Sequence, residues 1–360
     1  MEPLRWKRSE PLTVGLEWEL QILDRETLEP KDAFPELFER LPEDLKPFVH
    51  KEVYQSMLEV VSAPSEDEGQ IADLLGRLLE ALRPLAQELG FHLVGLGTLY
   101  SKAEKGTKIN ADRRYKLFAE EFQHILRDFY IYGIHFHVGF PDEDWALRAF
   151  NNFVKYAPLF LALSANSPFY RGVNTGIHSY RMVVFEKLPR AELPRQFSSF
   201  GEFAAVVEHL KGAGAIERIK DLWWHVRFRP DLGTVEFRVF DSLWSVERIL
   251  TLVKLVRSLA LYSERYQDPP LAVEYLQQNW WWAKRYSLDA DFVDHQGRKA
   301  LKQVAFDLVY KLEHLGIFDQ LGYSVDEFTH LLRRPSLAKD LILKSHALGL
   351  ERVVRSAAVV

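Results

Sequence analysis

Four triplets of the form polar, aromatic, polar recur along this 360-residue chain. They are Glu17-Trp18-Glu19, His135-Phe136-His137, Arg227-Phe228-Arg229 and Glu236-Phe237-Arg238. Side chains alternate between the two faces of a β-strand, so each triplet would place two titratable groups on one face and a ring on the other. Burying so many unpartnered charges would be costly. The triplets therefore predict a sheet whose aromatic face packs on helices and whose polar face is wet, paired or metal-loaded.

The first triplet lies in the stretch 14–20, which reads as a strand near the N-terminus. Glu17 and Glu19 would share one face with their side chains about 7 Å apart. Two such carboxylates repel unless a positive group lies between them, and a divalent metal ion is the economical candidate because Mg²⁺ takes carboxylate oxygens and substrate phosphates as ligands. The alternative is an edge strand with a solvated acidic face. Taken alone, this stretch favours that alternative.

The composition argues against several classes of protein and of site. A net charge of −5 and an isoelectric point near 6.2 argue against a general nucleic-acid or anionic-membrane binder. The chain has no cysteine, which rules out disulfides, thiolate zinc sites and a cysteine nucleophile, and which fits a reducing compartment. The N-terminus lacks an apolar signal region and no apolar run reaches about 18 residues, so we expect a cytoplasmic protein without a membrane segment.

Hydrophobic periodicity predicts several amphipathic helices. A capping box at 65–68 opens a helix whose leucine stripe ends at Gly90. A second helix begins near 142 and runs to Asn166, with a break near Pro158. Further stripes follow beyond Ser245.

Strand patterns are confined to the first two thirds of the sequence. The segment 53–61 reads as one mostly buried strand in which Glu59 is the single charge, and 223–241 reads as a hairpin. We therefore expect an α+β fold with a largely antiparallel sheet. A single catalytic domain would span 1–360, with the sheet-bearing core in 1–245 and a mainly helical part, 246–360, packed on it.

A basic segment, 101–116, follows the predicted strand near residue 95. It carries Lys102, Lys105, Lys108, Arg113, Arg114 and Lys116. Such a cluster is either a solvated surface loop or a mobile lid that brings cations to phosphates, and the two interpretations weigh about evenly.

The polar faces of the predicted strands offer a ligand set for a hard metal ion. Its members are Glu17, Glu19, Glu59, His135 and Glu236. Carboxylates with one imidazole suit Mg²⁺ or Mn²⁺ rather than structural zinc. Alternatively, Glu236 and Arg238 pair across the hairpin with Arg227 or Arg229. No P-loop, dinucleotide fingerprint, nucleophile elbow or zinc-protease motif occurs, so a bound nucleotide would be held on the sheet through metal and arginines.

Six segments, in this order, resemble the glutamate–cysteine ligase type 2 family, the YbdK-like carboxylate–amine ligases. They are Gly15-Leu-Glu-Trp-Glu-Leu, Met57-Leu-Glu-Val-Val, Gly133-Ile-His-Phe-His-Val-Gly, Leu163-Ser-Ala-Asn-Ser-Pro-Phe, Thr175-Gly-Ile-His-Ser-Tyr-Arg181 and Thr234-Val-Glu-Phe-Arg-Val-Phe-Asp. The resemblance covers residues from about 12 to beyond 260. It implies a glutamine-synthetase-like fold, an antiparallel sheet curved into a funnel and backed by helices.

The resemblance also implies the chemistry. An ATP-dependent ligase would join the γ-carboxylate of glutamate to the amine of cysteine through an acyl phosphate, with Mg²⁺ or Mn²⁺ on the phosphates. The five acidic and imidazole residues named above would be the metal ligands, with Glu52 as a weaker candidate because its parity differs from that of Glu59. Arg238 would face phosphate or substrate beside Glu236 as a catalytic pair, and Arg181 and Arg114 would bind further anionic groups. We expect small amino-acid substrates and a homo-oligomer.

The chain departs from the family at two places. Trp18 replaces a glutamate, but its side chain should face away from the ligands. The segment 172–178 reads Gly-Val-Asn-Thr-Gly-Ile-His instead of the more common Gly-Arg-Asp-Thr-Gly-Tyr-Ala, which leaves the amine acceptor open. A metal-dependent phosphotransferase or hydrolase, and a non-catalytic nucleotide or amino-acid binding protein, are the alternative functions.

Overall fold

The computed structural model describes residues 4–104 and 106–360. A seven-stranded sheet in the order β2-β3-β1-β5-β9-β8, with β4 also on β1, forms its centre, and every pairing is antiparallel. The strands of this sheet are β1 Val14–Asp24, β2 Val49–Lys51, β3 Met57–Val61, β4 Phe91–Val94, β5 Gly133–Gly139, β8 Val226–Arg229 and β9 Thr234–Asp241. The long strand β1 therefore joins the two halves of the sheet, which places its glutamates at the centre.

Two small hairpins and thirteen α-helices complete the described chain. The hairpins pair β6 Phe169–Tyr170 with β7 Val173–Asn174 and β10 Asp291–Asp294 with β11 Gly297–Ala300. The helices are α1 Phe34–Arg40, α2 Glu68–Leu89, α3 Arg113–Arg127, α4 Glu143–Ser164, α5 Tyr180–Phe185, α6 Phe200–Gly212, α7 Val246–Tyr262, α8 Val273–Tyr286, α9 Leu301–His314, α10 Ile317–Leu321, α11 Val325–Arg333, α12 Leu337–Leu348 and α13 Leu350–Ser356. No described helix is both long and apolar enough to cross a membrane.

The aromatic residues of the four triplets all lie on the face of the sheet that packs on helices, as predicted. Trp18, Phe136, Phe228 and Phe237 are each 0% exposed. The ring of Phe237 lies parallel to that of Phe153 in α4, with the centroids 4.8 Å apart. These contacts anchor each strand from behind, so the polar residues on either side of each ring are directed to the opposite face.

Helix α4 is the main support behind the sheet, and it is continuous. The side chain of Asp142 accepts a hydrogen bond from the backbone of Trp145 at its N-terminus. The predicted break near Pro158 is wrong, because the helix runs through it to Ser164. The sheet and helices α7 and α8 enclose this helix, and their packing offsets the hydrogen bond that proline removes.

Two predicted boundaries near β3 are also wrong. Helix α2 begins two residues after the expected start, with Asp67 as its N-cap, because Ser65 instead pairs with Val14 through two backbone hydrogen bonds. The segment 53–61 is a strand only from Met57 onwards. A turn precedes it, in which the backbone N–H of Met57 donates to the carbonyl of Tyr54.

The last third of the chain is mainly helical, as predicted, but it also contains the β10–β11 hairpin. The expectation that strands are confined to the first two thirds is therefore wrong. Asn279 of α8 binds the backbone of Val293 on β10 through both its amide oxygen and its amide nitrogen. A tertiary contact thus stabilises a strand whose own sequence, Asp-Phe-Val-Asp, gives only a weak signal.

The packing of Phe237 gives a test of the two-faced sheet. We expect Phe237→Ala to lower the free energy of unfolding by about 3–5 kcal/mol, since it removes a fully buried ring that packs on α4. Chemical denaturation measures the loss. Leu343→Ala, at a residue 62% exposed on α12, is the control and should change stability by no more than about 0.5 kcal/mol. Equal losses in the two variants would contradict this assignment of faces.

Candidate metal and anion site

Strand register brings the polar members of the triplets together on one face of the sheet. Glu17 lies opposite His135, and Glu19 lies opposite Glu59. Glu236 lies opposite His137 on one side and Arg227 on the other. Four consecutive strand pairings, β3–β1, β1–β5, β5–β9 and β9–β8, therefore bring the predicted site residues together.

The first cluster consists of Glu17, His135 and Glu236, which each offer one ligand atom, all within 4.8 Å of one another. Nδ1 of His135 lies 2.9 Å from a carboxylate oxygen of Glu17. Burial alone would raise the pKa of Glu17, but the hydrogen bond to His135 and the nearby imidazole of His137 lower it well below its usual range. Burial and the nearby Arg238 lower the pKa of His135. The cluster thus presents an ionised carboxylate next to a neutral imidazole, the state in which both bind metal ions.

The second cluster consists of Glu19, Glu52 and Glu59, again with ligand atoms within 4.8 Å. Burial and the charge of Glu19 raise the pKa of Glu52 to about 8. Burial and the charge of Glu52 raise the pKa of Glu59 well above its usual range. Three carboxylates so close together repel one another unless some are protonated or a cation binds between them. The cluster therefore has the donor groups and the negative charge to bind a divalent cation.

The structure makes Glu52 a full member of the second cluster, whereas the sequence indicated only a weaker ligand candidate. Its rank as a weaker candidate rested on parity with Glu59 along one strand, and that argument is wrong because a turn separates the two residues. The amide of Asn110 donates a 2.6 Å hydrogen bond to the backbone carbonyl of Glu52, which joins this segment to the loop before α3.

Arginines flank the first cluster. The guanidinium of Arg227 donates two hydrogen bonds, of 2.8 and 2.6 Å, to one oxygen of Glu236, and Arg238 donates to the other oxygen. Burial would raise the pKa of Glu236, but these two cations lower it well below its usual range. The cross-strand pairing that the sequence left as an alternative is therefore present, and it keeps Glu236 ionised inside the sheet face.

Arg181 is a buried cation without an ion pair among the described residues. Its side chain reaches the site from α5, where Nη2 lies 3.5 Å from Nε2 of His135 and Nη1 donates to the carbonyl of Arg238 over 3.4 Å. A β-bulge between β5 and β9 lies beside these groups. Gly133 makes room, because a Cβ there would lie 2.0 Å from Nη2 of Arg181. A buried guanidinium held in this way is suited to an anionic ligand.

Arg114, the third predicted anion-binding arginine, lies on α3 and acts on the second cluster rather than on the first. It is exposed in the first turn of α3, and its charge acts on the carboxyl group of Glu52. The basic segment is therefore a loop only up to Asp112, since Arg113, Arg114 and Lys116 are helical. Lys105 lies outside the described residues.

Sequence reasoning missed two residues of this site. Nε2 of His137 lies 3.3 Å from Glu17 and 3.8 Å from Glu236, without a hydrogen-bond partner among the described residues. Its parity with His135 was the available signal. Asp241 is fully buried and accepts hydrogen bonds from Ser167, Ser179 and the backbone of Asn166. It fixes the loop after α4 beside Arg181, a long-range contact that strand periodicity does not report.

A cavity of about 200 Å³ opens at the end of the polar face beside Glu17 and His137. Hydroxyl groups of Ser9, Thr13 and Thr234 line it. A small polar ligand could therefore reach the first cluster from this side.

Comparison with known proteins assigns the family. The family model described as glutamate–cysteine ligase family 2 matches residues 13–318. A Thermobifida fusca protein provisionally named glutamate–cysteine ligase 2 is 31% identical over 363 residues, which cover 94% of this chain and 91% of the relative. The chain belongs to the glutamate–cysteine ligase 2 family. A provisionally named member from Rubrobacter xylanophilus is 34% identical over 290 residues, covering 80% of this chain and 77% of its own length.

Solved structures with a similar fold are also ligases. Glutamate–cysteine ligase from Francisella tularensis, in complex with AMP, superposes with a TM-score of 0.67 at 13% identity over 98% of this chain and 89% of its own. A bifunctional glutathione synthetase from Pasteurella multocida gives 0.64 at 17% identity over 96% of this chain, which spans 50% of that enzyme. The predicted family and the predicted glutamine-synthetase-like α+β fold are confirmed. Membership of this family makes the protein a carboxylate–amine ligase.

The raised pKa of Glu52 predicts a pH dependence of stability. In the metal-free protein, Glu52 holds its proton up to a pH of about 8, whereas its ordinary pKa is 4.5. The unfolded chain then binds fewer protons than the folded chain, so the free energy of unfolding should fall as the pH rises through this interval. Glu52→Gln should remove much of that fall, as urea denaturation between pH 5 and 8 in a chelating buffer would measure. Glu80→Gln, at an exposed residue, is the control and should leave this fall unchanged. If the free energy of unfolding of Glu52→Gln fell with pH as steeply as that of the wild type, the clustering of these carboxylates would be contradicted.

Proposed function

We propose that this protein is an ATP- and Mg²⁺-dependent ligase that joins the γ-carboxylate of glutamate to an amine, with cysteine as the first candidate acceptor. The observation that carries the proposal is the pair of ligand clusters on one sheet face, with Arg238 of β9 and Arg181 of α5 beside the first of them. A reaction that moves a phosphoryl group between two anionic substrates needs this combination of metal ligands and fixed cations.

The donor chemistry of both clusters fits a hard divalent ion. Glu17, His135 and Glu236 would hold one ion, and Glu19, Glu52 and Glu59 another. Burial and the charges of neighbouring glutamates raise the pKa values of Glu52 and Glu59, and a bound cation would offset both effects. When bound, Mg²⁺ or Mn²⁺ would neutralise phosphate charge and orient the transferred group.

The protein's own residues have distinct tasks in this reaction. A carboxylate oxygen of the donor substrate attacks the γ-phosphorus of ATP, the bond to the bridging oxygen breaks, and ADP leaves. Arg238, held by Glu236, stabilises the charge on the transferred phosphoryl group, and Arg181 stabilises it from the side of His135. The amine then attacks the acyl carbon, phosphate departs, and the amine loses a proton. The AMP complex of the Francisella enzyme supports a nucleotide substrate here.

Four finer expectations stay predictions. They are the identity of the acceptor amine, a homo-oligomer, a cytoplasmic location and a lid formed by residues 101–116. Part of that segment is tied down, since the backbone N–H of Lys108 donates to Asp32 over 3.0 Å. The acceptor is the most open of these, because the segment 172–178 departs from the family sequence.

A screen of ADP release tests the reaction class. Purified protein with Mg²⁺-ATP is assayed against pairs of amino-acid carboxylate donors and amine acceptors, and products are identified by mass spectrometry. Hydroxylamine replaces the acceptor in parallel, because a hydroxamate forms only when an acyl group has been activated. ADP release with every donor but no hydroxamate and no amide would favour the phosphotransferase or hydrolase alternative. No ADP release with any pair would contradict the proposal.

The first cluster predicts the effect of one charge. We expect Glu17→Gln to abolish Mg²⁺-dependent ATP binding, because it removes an ionised ligand while keeping the size of the side chain. Isothermal titration of the nucleotide with and without Mg²⁺ measures this, and circular dichroism checks the fold. Glu80→Gln, which changes an exposed residue of α2 in the same way, is the matched control. Unchanged Mg²⁺-ATP binding in Glu17→Gln would remove Glu17 from the site.

The space left by Gly133 predicts a second effect. Gly133→Ala should displace the guanidinium of Arg181 and lower kcat by about 10- to 100-fold, since a shift of about 1 Å in a positioning group costs this much. Gly76→Ala is the control, because a Cβ there meets nothing within 4 Å and should leave kcat unchanged. Steady-state ADP release compares the two variants. Wild-type kcat in Gly133→Ala would show that the position of Arg181 does not matter.

A further inference from the structure

We propose that Glu186 and Lys284 are positioning residues, which hold helix α5 so that the guanidinium of Arg181 stays in the active site. The proposal rests on the proposed function, and it gives the helical last third of the chain a part in the reaction. Lys284 lies on α8, more than 100 residues after Arg181 in the sequence. The two residues are nevertheless connected, because Arg181 lies on the short helix α5 and Lys284 binds the carboxylate of Glu186 at the end of that helix.

Glu186 directly follows α5, and its carboxylate gathers three donors. Nε1 of Trp280 donates to one oxygen over 2.6 Å, and Nζ of Lys284 donates to the other over 2.5 Å. The ring of His225 lies 3.2 Å from the first oxygen. Burial would raise the pKa of Glu186, but His225 and Lys284 lower it to about 2, so the carboxylate stays charged at neutral pH.

Phe185 connects this carboxylate to the two active-site arginines. Its ring lies 5.6 Å from the ring of His225, and the guanidinium groups of Arg181 and Arg238 lie 5.9 and 5.8 Å from its centroid. The backbone N–H of Arg238 donates to the carbonyl of His225 over 2.8 Å. A shift of His225 or Phe185 would therefore move both cations.

The other end of α5 is also fastened to α8. The backbone N–H of Ser179 donates to the carbonyl of Lys284 over 2.9 Å, and the hydroxyl of Ser179 donates to Asp241 over 2.8 Å. Helix α5 has only six residues, and a helix of this length is not stable without tertiary contacts. Lys284 therefore contacts both ends of the element that presents Arg181.

A buried acid in the last third of the chain, Asp268, supplies the control. Asp268 accepts hydrogen bonds from Lys311, Tyr156 and Tyr262, a set of donors much like that of Glu186. These partners lie on α4, α7 and α9, and the hydrogen bonds of Lys311 among the described residues reach only Asp268, Tyr156 and Tyr262. Loss of Lys311 should therefore destabilise the protein without moving Arg181.

The test compares Lys284→Met with Lys311→Met and combines the former with Arg181→Lys. We expect both methionine variants to lower the melting temperature, but only Lys284→Met to lower kcat, by about 10- to 100-fold. In the Arg181→Lys background, Lys284→Met should cost less than about 2-fold more, because the two residues act through one group. Lys284→Arg should restore most of kcat. Glu186→Gln, which keeps the size of the side chain, replaces Lys284→Met if that variant does not fold.

A readout without turnover separates this proposal from the proposed function. The Nε–Hε signal of Arg181 in nitrogen-15 NMR is assigned by its loss in Arg181→Lys. We expect it to shift or broaden in Lys284→Met and to stay in place in Lys311→Met. An unmoved signal, or effects on kcat that simply multiply in the double variant, would overturn the positioning role. A wild-type protein that releases no ADP, together with a signal that moves, would instead overturn the ligase reaction and leave the positioning intact.

Discussion

Repulsion among carboxylates on one sheet face, and its uneven compensation by arginines, is the constraint on which the rest of this structure depends. Glu236 is paired by Arg227 and Arg238, whereas no lysine or arginine among the described residues forms an ion pair with Glu19, Glu52 or Glu59. The face is thus neutralised at one end and left short of positive charge at the other. Such an arrangement costs free energy in the metal-free fold, and proteins tolerate that cost where a ligand relieves it.

The aromatic face makes this tolerance possible. Phe228 and Phe237 stack on phenylalanines of α4, with ring centroids 4.2 and 4.8 Å apart. Each strand is therefore fixed from behind by packing that does not involve its charged residues. The aromatic face therefore stabilises the sheet, and the charged residues can be arranged to bind a ligand, as is expected of a preorganised site. In the proposed bracing of α5, contacts outside the sheet likewise help to hold Arg181 against it.

Family membership and geometry answer different questions about this protein. Membership assigns the carboxylate–amine ligase class, and the fold shared with the Francisella enzyme at 13% identity confirms only the scaffold. The geometry adds which residues lie together and which cations remain free for anionic substrates. The acceptor amine depends on segments such as 172–178, where this chain has its own sequence. In the proposed reaction, the substrate pair would therefore depend on loops, while the phosphoryl transfer would depend on residues of the sheet.

Local periodicity in the sequence is enough to predict the two-faced sheet and the mainly helical last third, and the strand period also predicts which face carries Glu17, His135 and Glu236. It did not determine Glu52, which a turn brings to Glu19 and Glu59, or the bulge beside His135 that accompanies the contact of Arg181 with Arg238. It also did not reveal that α8 braces α5 through Glu186. These features depend on contacts between segments distant in the chain, and only tertiary packing decides which distant segments meet.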